Sequence, residues 1–161
     1  MMFLESGHWL GRGSVLAEGQ SRGRPIECRV LVQRDGEGVT LTGGWHGKGE
    51  QEREFVVRLA SNDVGTYTLT MQLAGDHLHG TAKLDSPPNL GLLWNDSGSL
   101  HATFALFAVS RGYGFRGFVR DAAPTVRGGV TGRIFTWEVA FSLKQEVVKG
   151  DNVVSLHRRR R

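Results

Sequence analysis

Six histidines are the side chains best suited to chemistry in this chain. His77-Leu78-His79 puts two imidazoles on one side of an extended segment, roughly 6.5–7 Å apart. Leu100-His101-Ala102-Thr103 repeats the form of Leu78-His79-Gly80-Thr81. If the two segments were neighbours, His77, His79 and His101 could supply the three imidazoles of a zinc site. The alternation around them argues for a blander role. His77, His79, Thr81, Lys83 and Asp85 form a polar side, and Leu78, Gly80, Ala82 and Leu84 an apolar one. That pattern reads first as a wet outer face. The metal reading survives only if the polar side lines a lumen.

Other reactive groups are few. The chain holds one cysteine, Cys28, on the apolar side of an alternating segment, where a core thiol is expected rather than a nucleophile. No Ser sits in a G-x-S-x-G elbow, and the Gly-rich stretches do not lie between a strand and a helix as phosphate-binding loops do. Glu50 and Glu52 fall in a highly charged turn and read as solvation. Tyr113, Phe115, Arg116, Phe118 and Arg120 interleave aromatics with arginine, as a single-strand-binding sheet does. Phe115 and Phe118 fall on opposite faces, however, so they make no common stacking platform. No catalytic residue and no cofactor is named by these patterns.

The elements that would position these residues have a period of two. Ile26, Cys28, Val30 and Val32 share one side of Ile26–Gln33. Asp35-Gly36 follows as a turn tolerant of positive φ, and Val39–Thr42 begins another strand. Arg53, Phe55, Val57 and Leu59 align in Glu52–Ala60. Tyr67, Leu69, Met71 and Leu73 alternate with Thr66, Thr68, Thr70 and Gln72, as in a half-buried antiparallel strand. His77–Asp85, Leu90–Trp94, Leu100–Ser110 and Phe115–Arg120 continue the series, with Arg111 to Gly114 read as a turn. Ala122–Gly132 is read as a loop or weak edge strand. Phe135, Trp137, Val139, Phe141 and Leu143 share a face of the last strand, Ile134–Glu146.

Eight to ten strands at this spacing predict an all-β antiparallel domain. Closure into an up-and-down barrel would remove the aggregation-prone edges; a two-sheet sandwich is the rival. The barrel is expected over residues 1–150, with a short N-terminal helical turn, and a disordered basic tail over 151–161.

Composition agrees. Of 161 residues, 39% are hydrophobic and 22% charged, with 23 glycines for turns and close approaches. The net charge is +4, and Arg158 to Arg161 alone account for it. The body is therefore close to neutral, which weighs against nucleic-acid binding by the body. No apolar run is long enough for a membrane-spanning helix. The N-terminus lacks the basic and apolar regions of a secretory signal, and a lone cysteine fits a cytoplasmic setting.

Gly7-His8-Trp9-Leu10-Gly11-Arg12-Gly13 has the form G-x-W-x-G-x-G. A Trp on a first strand can plug one end of a barrel, while Gly11 and Gly13 let the backbone bend and approach its neighbours. The form recurs at Gly43-Gly44-Trp45-His46-Gly47-Lys48-Gly49. In this first-strand motif the chain resembles the calycins, the superfamily of lipocalins and fatty-acid-binding proteins. Phe3-Leu4-Glu5-Ser6 before Gly7-His8-Trp9 looks like the short helix that opens a lipocalin. The resemblance implies a cation packed across the Trp from the last strand, a role for which Arg133 is the best match. The fuller motif looks more like the nitrobindin branch, which implies haem. The last strand departs from that branch because it carries no His, and His157 lies in the tail.

The expected function is a binding protein rather than an enzyme. Its lumen would hold a small hydrophobic or amphipathic molecule against Tyr67, Leu69, Met71, Phe104, Leu106, Phe135, Trp137, Val139 and Phe141. Arg53 or Arg133 would fix a polar head. The alternatives are haem- or tetrapyrrole-linked chemistry on a nitrobindin-like barrel, and a structural β module with an anion-binding arginine tail. A homodimer is also an open expectation.

Overall fold

The structure is a computed structural model that describes residues 5–36, 38–124 and 130–144. The arginine tail, His157, residues 1–4 and the middle of the Gly-rich stretch lie outside the described residues. Ten strands follow one another: β1 (Gly7–Ala17), β2 (Arg24–Asp35), β3 (Gly38–Gly47), β4 (Arg53–Ser61), β5 (Tyr67–Leu73), β6 (Asp76–Lys83), β7 (Asn89–Asn95), β8 (Leu100–Val109), β9 (Gly112–Pro124) and β10 (Val130–Leu143). Each pairs antiparallel with the next, and β1 closes on β10. The result is an up-and-down barrel, not a sandwich. No helix occurs among the described residues, and Glu5 and Ser6 are not helical, so the expected N-terminal helical turn is not found there.

Alternation decides which side of each strand faces inward. Trp9, Ile26, Val30, Val32, Val39, Leu59, Tyr67, Leu69, Leu78, Ala82, Phe104 and Val139 are all buried, and each sits on the inward parity of its strand. Two segments are more regular than their sequence suggests. Gly112, Tyr113 and Gly114 belong to β9 rather than to a turn, because the ring of outward-facing Phe107 lies where a Gly114 side chain would stand. The Gly-rich stretch supplies the end of β9 and the start of β10.

The strands run obliquely to the barrel axis, as closure requires. Following direct partners from Phe135 leads through Val119, Ala102, Leu93, Gly80, Leu69 and Leu59 to Val39. That row starts near the beginning of β10 and ends near the beginning of β3, which lie at opposite ends of the barrel. For brevity, the floor is the end holding the β2–β3 and β4–β5 turns, and the mouth is the end holding the β1–β2 and β3–β4 connections.

Glycine makes this curvature possible at a few inward positions. At Gly13 a Cβ would land on the Glu138 carbonyl, and at Gly43 on that of Arg29. Neighbouring backbone thus occupies the space a side chain would need, and a side chain there would force the strands apart. Gly13→Ala should therefore destabilise by about 1–3 kcal/mol. Gly132→Ala, where a Cβ meets only the Arg120 guanidinium at 3.4 Å, should stay within about 0.5 kcal/mol. Urea unfolding midpoints of the two variants check this; equal losses would contradict the close-approach account.

Candidate functional site

The barrel interior is the one place where the described side chains converge on a common space. Its floor is packed. Trp9, Val32, Val39, Leu59, Tyr67, Leu69 and Leu84 are each at most 7% exposed. Trp9 Nε1 donates to the Glu5 carbonyl at 2.9 Å, so the indole is tied to the chain entering the barrel. Its ring meets Tyr113 at 5.6 Å between centroids.

Tyr67 donates to Asp85 Oδ1 at 2.8 Å. Burial, and then the carboxylate, raise the Tyr67 phenol above its ordinary value. The bond from Tyr67 in turn holds the Asp85 carboxyl below the ordinary aspartate value.

Above the floor, buried Leu78, Phe104 and Val139 are interspersed with inward side chains that are less deeply buried. Leu41, Phe55, Val57, Leu93, Leu106, Phe115, Trp137 and Phe141 point inward yet remain only partly buried. The wall is hydrogen-bonded all round, and these side chains pack against the buried cluster. Ten strands enclose more space than the eight that side chains or one small ligand just fill.

Aromatic rings line this band. Phe115 lies 5.6 Å from Phe104, 5.4 Å from Trp137 and 6.4 Å from Phe141. Large and small residues alternate around the wall beneath them. Trp137, Gly117, Phe104 and Gly91 are successive cross-strand partners, with Trp137 lying over Gly117 and Phe104 over Gly91.

Two polar atoms in this band are buried without a hydrogen-bond partner, the Trp137 Nε1 donor and the Asn89 Oδ1 acceptor. Asn89 is 3% exposed, and its Nδ2 reaches only the Leu106 carbonyl, at 3.5 Å. A buried polar atom left unpaired costs about 1–3 kcal/mol, and both atoms are covered by neighbouring protein atoms. Cys28 also faces inward, opposite Gly11 and Trp45. Burial pushes its thiol up to about 11, so it is protonated at neutral pH and a poor nucleophile.

The nine apolar and aromatic side chains expected to line the lumen all lie on the inward parity, but they divide by depth. Tyr67 and Leu69 belong to the packed floor. Met71, Phe104, Leu106, Phe135, Trp137, Val139 and Phe141 lie in or beside the open band. Arg53 stands at the mouth, its guanidinium carbon 5.1 Å from the Trp45 ring centre. Arg133 is also at the mouth, opposite Asp121, and is exposed.

That position corrects one expectation. The register sets Trp9 opposite Leu143 and Ala17 opposite Phe135. Arg133 therefore lies ten residues along β10 from Trp9's partner, roughly 33 Å at strand rise, and cannot pack on Trp9. The cation stacked on an indole is Arg53, and its indole belongs to the second Gly-Trp motif.

The three histidines are not brought together. Trp94 stands between His79 and His101 in the register, and all three point outward. His79 Nε2 instead lies 3.1 Å from Asp96 Oδ1. Among the described residues no group of three metal-ligating side chains forms.

Asn89 was hidden from sequence reading by the Pro87-Pro88 break. The signal for it is parity: it stands two before Gly91 and four before Leu93 on their shared face. A cleft of about 730 Å³ straddles the rim beside Arg53 and Phe55, with Glu54, Val56 and Gln72 on its outer side. It adjoins the mouth and does not enter the aromatic band.

Two measurements check this geometry. A double-mutant cycle of Trp9→Phe with Tyr113→Leu should show about 0.5–1.5 kcal/mol of coupling, while Trp9→Phe with Arg133→Ala should be additive within about 0.5 kcal/mol. Because the Asp85 carboxyl is lowered in the fold, its contribution is present above the ordinary aspartate value and is lost as pH falls through the folded value. The Tyr67 contribution runs the other way, present below the ordinary phenol value and lost as pH rises through the raised one. Tyr67→Phe should therefore flatten the stability profile at both extremes; an unchanged profile would contradict the pairing. No family model matches the chain and no curated protein matches it, so what the interior can hold follows from its geometry alone.

Proposed function

We propose that this protein is a calycin-like binding barrel that holds a small apolar or amphipathic molecule in its lumen. The observation that carries the reading is Trp137. It is an inward aromatic, partly exposed within a closed wall, whose buried Nε1–H has no partner. Phe115, Phe104 and Phe141 offer apolar contact around it, and Asn89 Oδ1 offers an acceptor nearer the floor. A flat molecule with an oxygen acceptor would cover the exposed part of the rings, and a small rotation of the Trp137 indole, whose Nε1–H is covered by protein and unpaired as it stands, would bring that donor to the oxygen. Of the charged groups on the inward parity, Arg53, Asp76, and Arg133 with its register partner Asp121 stand at the mouth, where a polar head would rest, and Arg34 stands at the floor end.

Haem-linked chemistry is less well supported. Every histidine among the described residues points outward, so none of them offers an imidazole to an iron in the lumen. The outer-wall histidines likewise argue against a three-imidazole metal enzyme.

Titration with Nile red, a neutral ring system bearing a carbonyl, tests the proposal. Wild-type protein should enhance and blue-shift its emission. Met71→Trp, which fills the band from β5, should weaken binding at least tenfold with the β spectrum retained. Trp137→Phe keeps a ring but removes the donor, and should weaken binding by about two- to tenfold, as for one hydrogen bond. No binding by the wild type, together with no bound small molecule in native mass spectra, would overturn the reading.

A further inference from the structure

The outer wall of β7 to β10 carries a second feature that lumen binding does not use. Leu90, Leu92 and Trp94 point outward from β7 and are 48%, 47% and 37% exposed. Phe118 on β9 and Ile134 on β10 are 47% and 38% exposed. The register joins them. Leu92, Thr103, Phe118 and Thr136 are successive partners across four strands. One row nearer the mouth, Trp94, His101, Arg120 and Ile134 are successive partners. Leu92 and Phe118 thus flank Thr103, with Leu90 and Trp94 beside Leu92 on β7 and Ile134 diagonal to Phe118.

Apart from Leu10 on β1, 47% exposed, the outer wall of the strands away from this face is more polar. On β5 and β6 the outward residues are Thr68, Thr70, Gln72, His77, His79 and Thr81. On β2 and β3, Arg29 pairs with Glu52, and His46 and Arg12 face Glu27. By contrast, the outer side of β7 is apolar throughout, with two leucines and a tryptophan, while its inner side carries Asn89, Gly91, Leu93 and Asn95. Such an outer side is normally covered.

We infer that a second copy of this chain covers this face, making the protein a dimer through the walls of β7 to β10. The barrel has no free strand edge, so association has to proceed through outward side chains. Magnitudes fit. Large apolar side chains carry roughly 150–250 Å² each, so the five exposures leave about 400 Å² of apolar surface in water. With apolar atoms near 60% of a specific interface, that corresponds to about 700 Å² per partner, close to the roughly 800 Å² of a standard interface.

The charges on the face are mostly matched within one copy. Arg116 holds Glu138 at 2.5 Å, and His79 holds Asp96 at the border. The positive charges of Arg120 and of Lys83, which stands opposite Leu90, are left to oppose self-association, and salt screens them. Aliphatic Leu90, Leu92 and Ile134 do not stack on bases, which disfavours a nucleic-acid partner.

Sedimentation equilibrium of the full chain tests the inference. The wild type should sediment at twice 17.7 kDa at micromolar concentration. Leu92→Lys should weaken dimerisation at least tenfold and return the mass to that of one chain. Thr103→Arg, at the centre of the face, should do the same without removing any apolar group, which guards against a folding defect in the first variant. Both should keep the wild-type circular dichroism and Nile red binding, so a failure of the dimer is separable from a failure of the lumen. A wild type that stays at one chain's mass, or a dimer that survives both substitutions, overturns the inference. Capture of a monomeric wild type by phosphatidylglycerol vesicles, lost in Leu92→Lys, assigns the face to a lipid surface and overturns it equally.

Discussion

Closure of the sheet is the constraint on which the rest depends. Pairing of β1 with β10 satisfies the last free backbone edge and leaves ten strands around one interior. A wall of that size encloses a wider interior than an eight-stranded barrel does, and the inward side chains are buried to different degrees. The interior divides into a floor, where Trp9, Tyr67 and Leu69 are locked in place, and a band above it where Phe115, Trp137 and Phe141 stay partly open. The most deeply buried side chains and the partly exposed aromatic ones thus lie at different depths of the same barrel, and closure leaves no free strand edge.

Glycine connects sequence to this shape in two ways. At Gly13 and Gly43 its missing side chain admits a neighbouring carbonyl, which lets the strands coil. At Gly91 and Gly117 it admits the face of an aromatic ring, which sets Phe104 and Trp137 flat against the wall. The same residue type bends the barrel in one place and seats its rings in the other.

Much of this was legible from the period-two pattern. The faces of β2, β4, β5, β6 and β10 follow directly from alternation, and so do the inward Trp137 and the outward His77 and His79. What alternation lacks is register between distant strands. Trp9 and Arg133 match a familiar pairing by type, yet β1 and β10 are antiparallel partners offset so that the two sit at opposite ends. Tyr113 and Gly114 read as turn residues because glycine is rare inside strands, and only the ring of Phe107 over Gly114 explains their place in β9. Asn89 was masked by the preceding prolines, although it is the most buried polar side chain in the described wall.

The central claim is that the band around Trp137 is an occupiable lumen and not a packed core. A crystal of the protein soaked with 1-naphthol, a flat neutral ring bearing one oxygen, tests it most directly. The account predicts density for the probe against Phe115 and Trp137, with its oxygen within hydrogen-bond distance of Trp137 Nε1. An interior closed by the chain's own side chains, with Trp137 Nε1 bonded to one of them and no room for the probe, would contradict it.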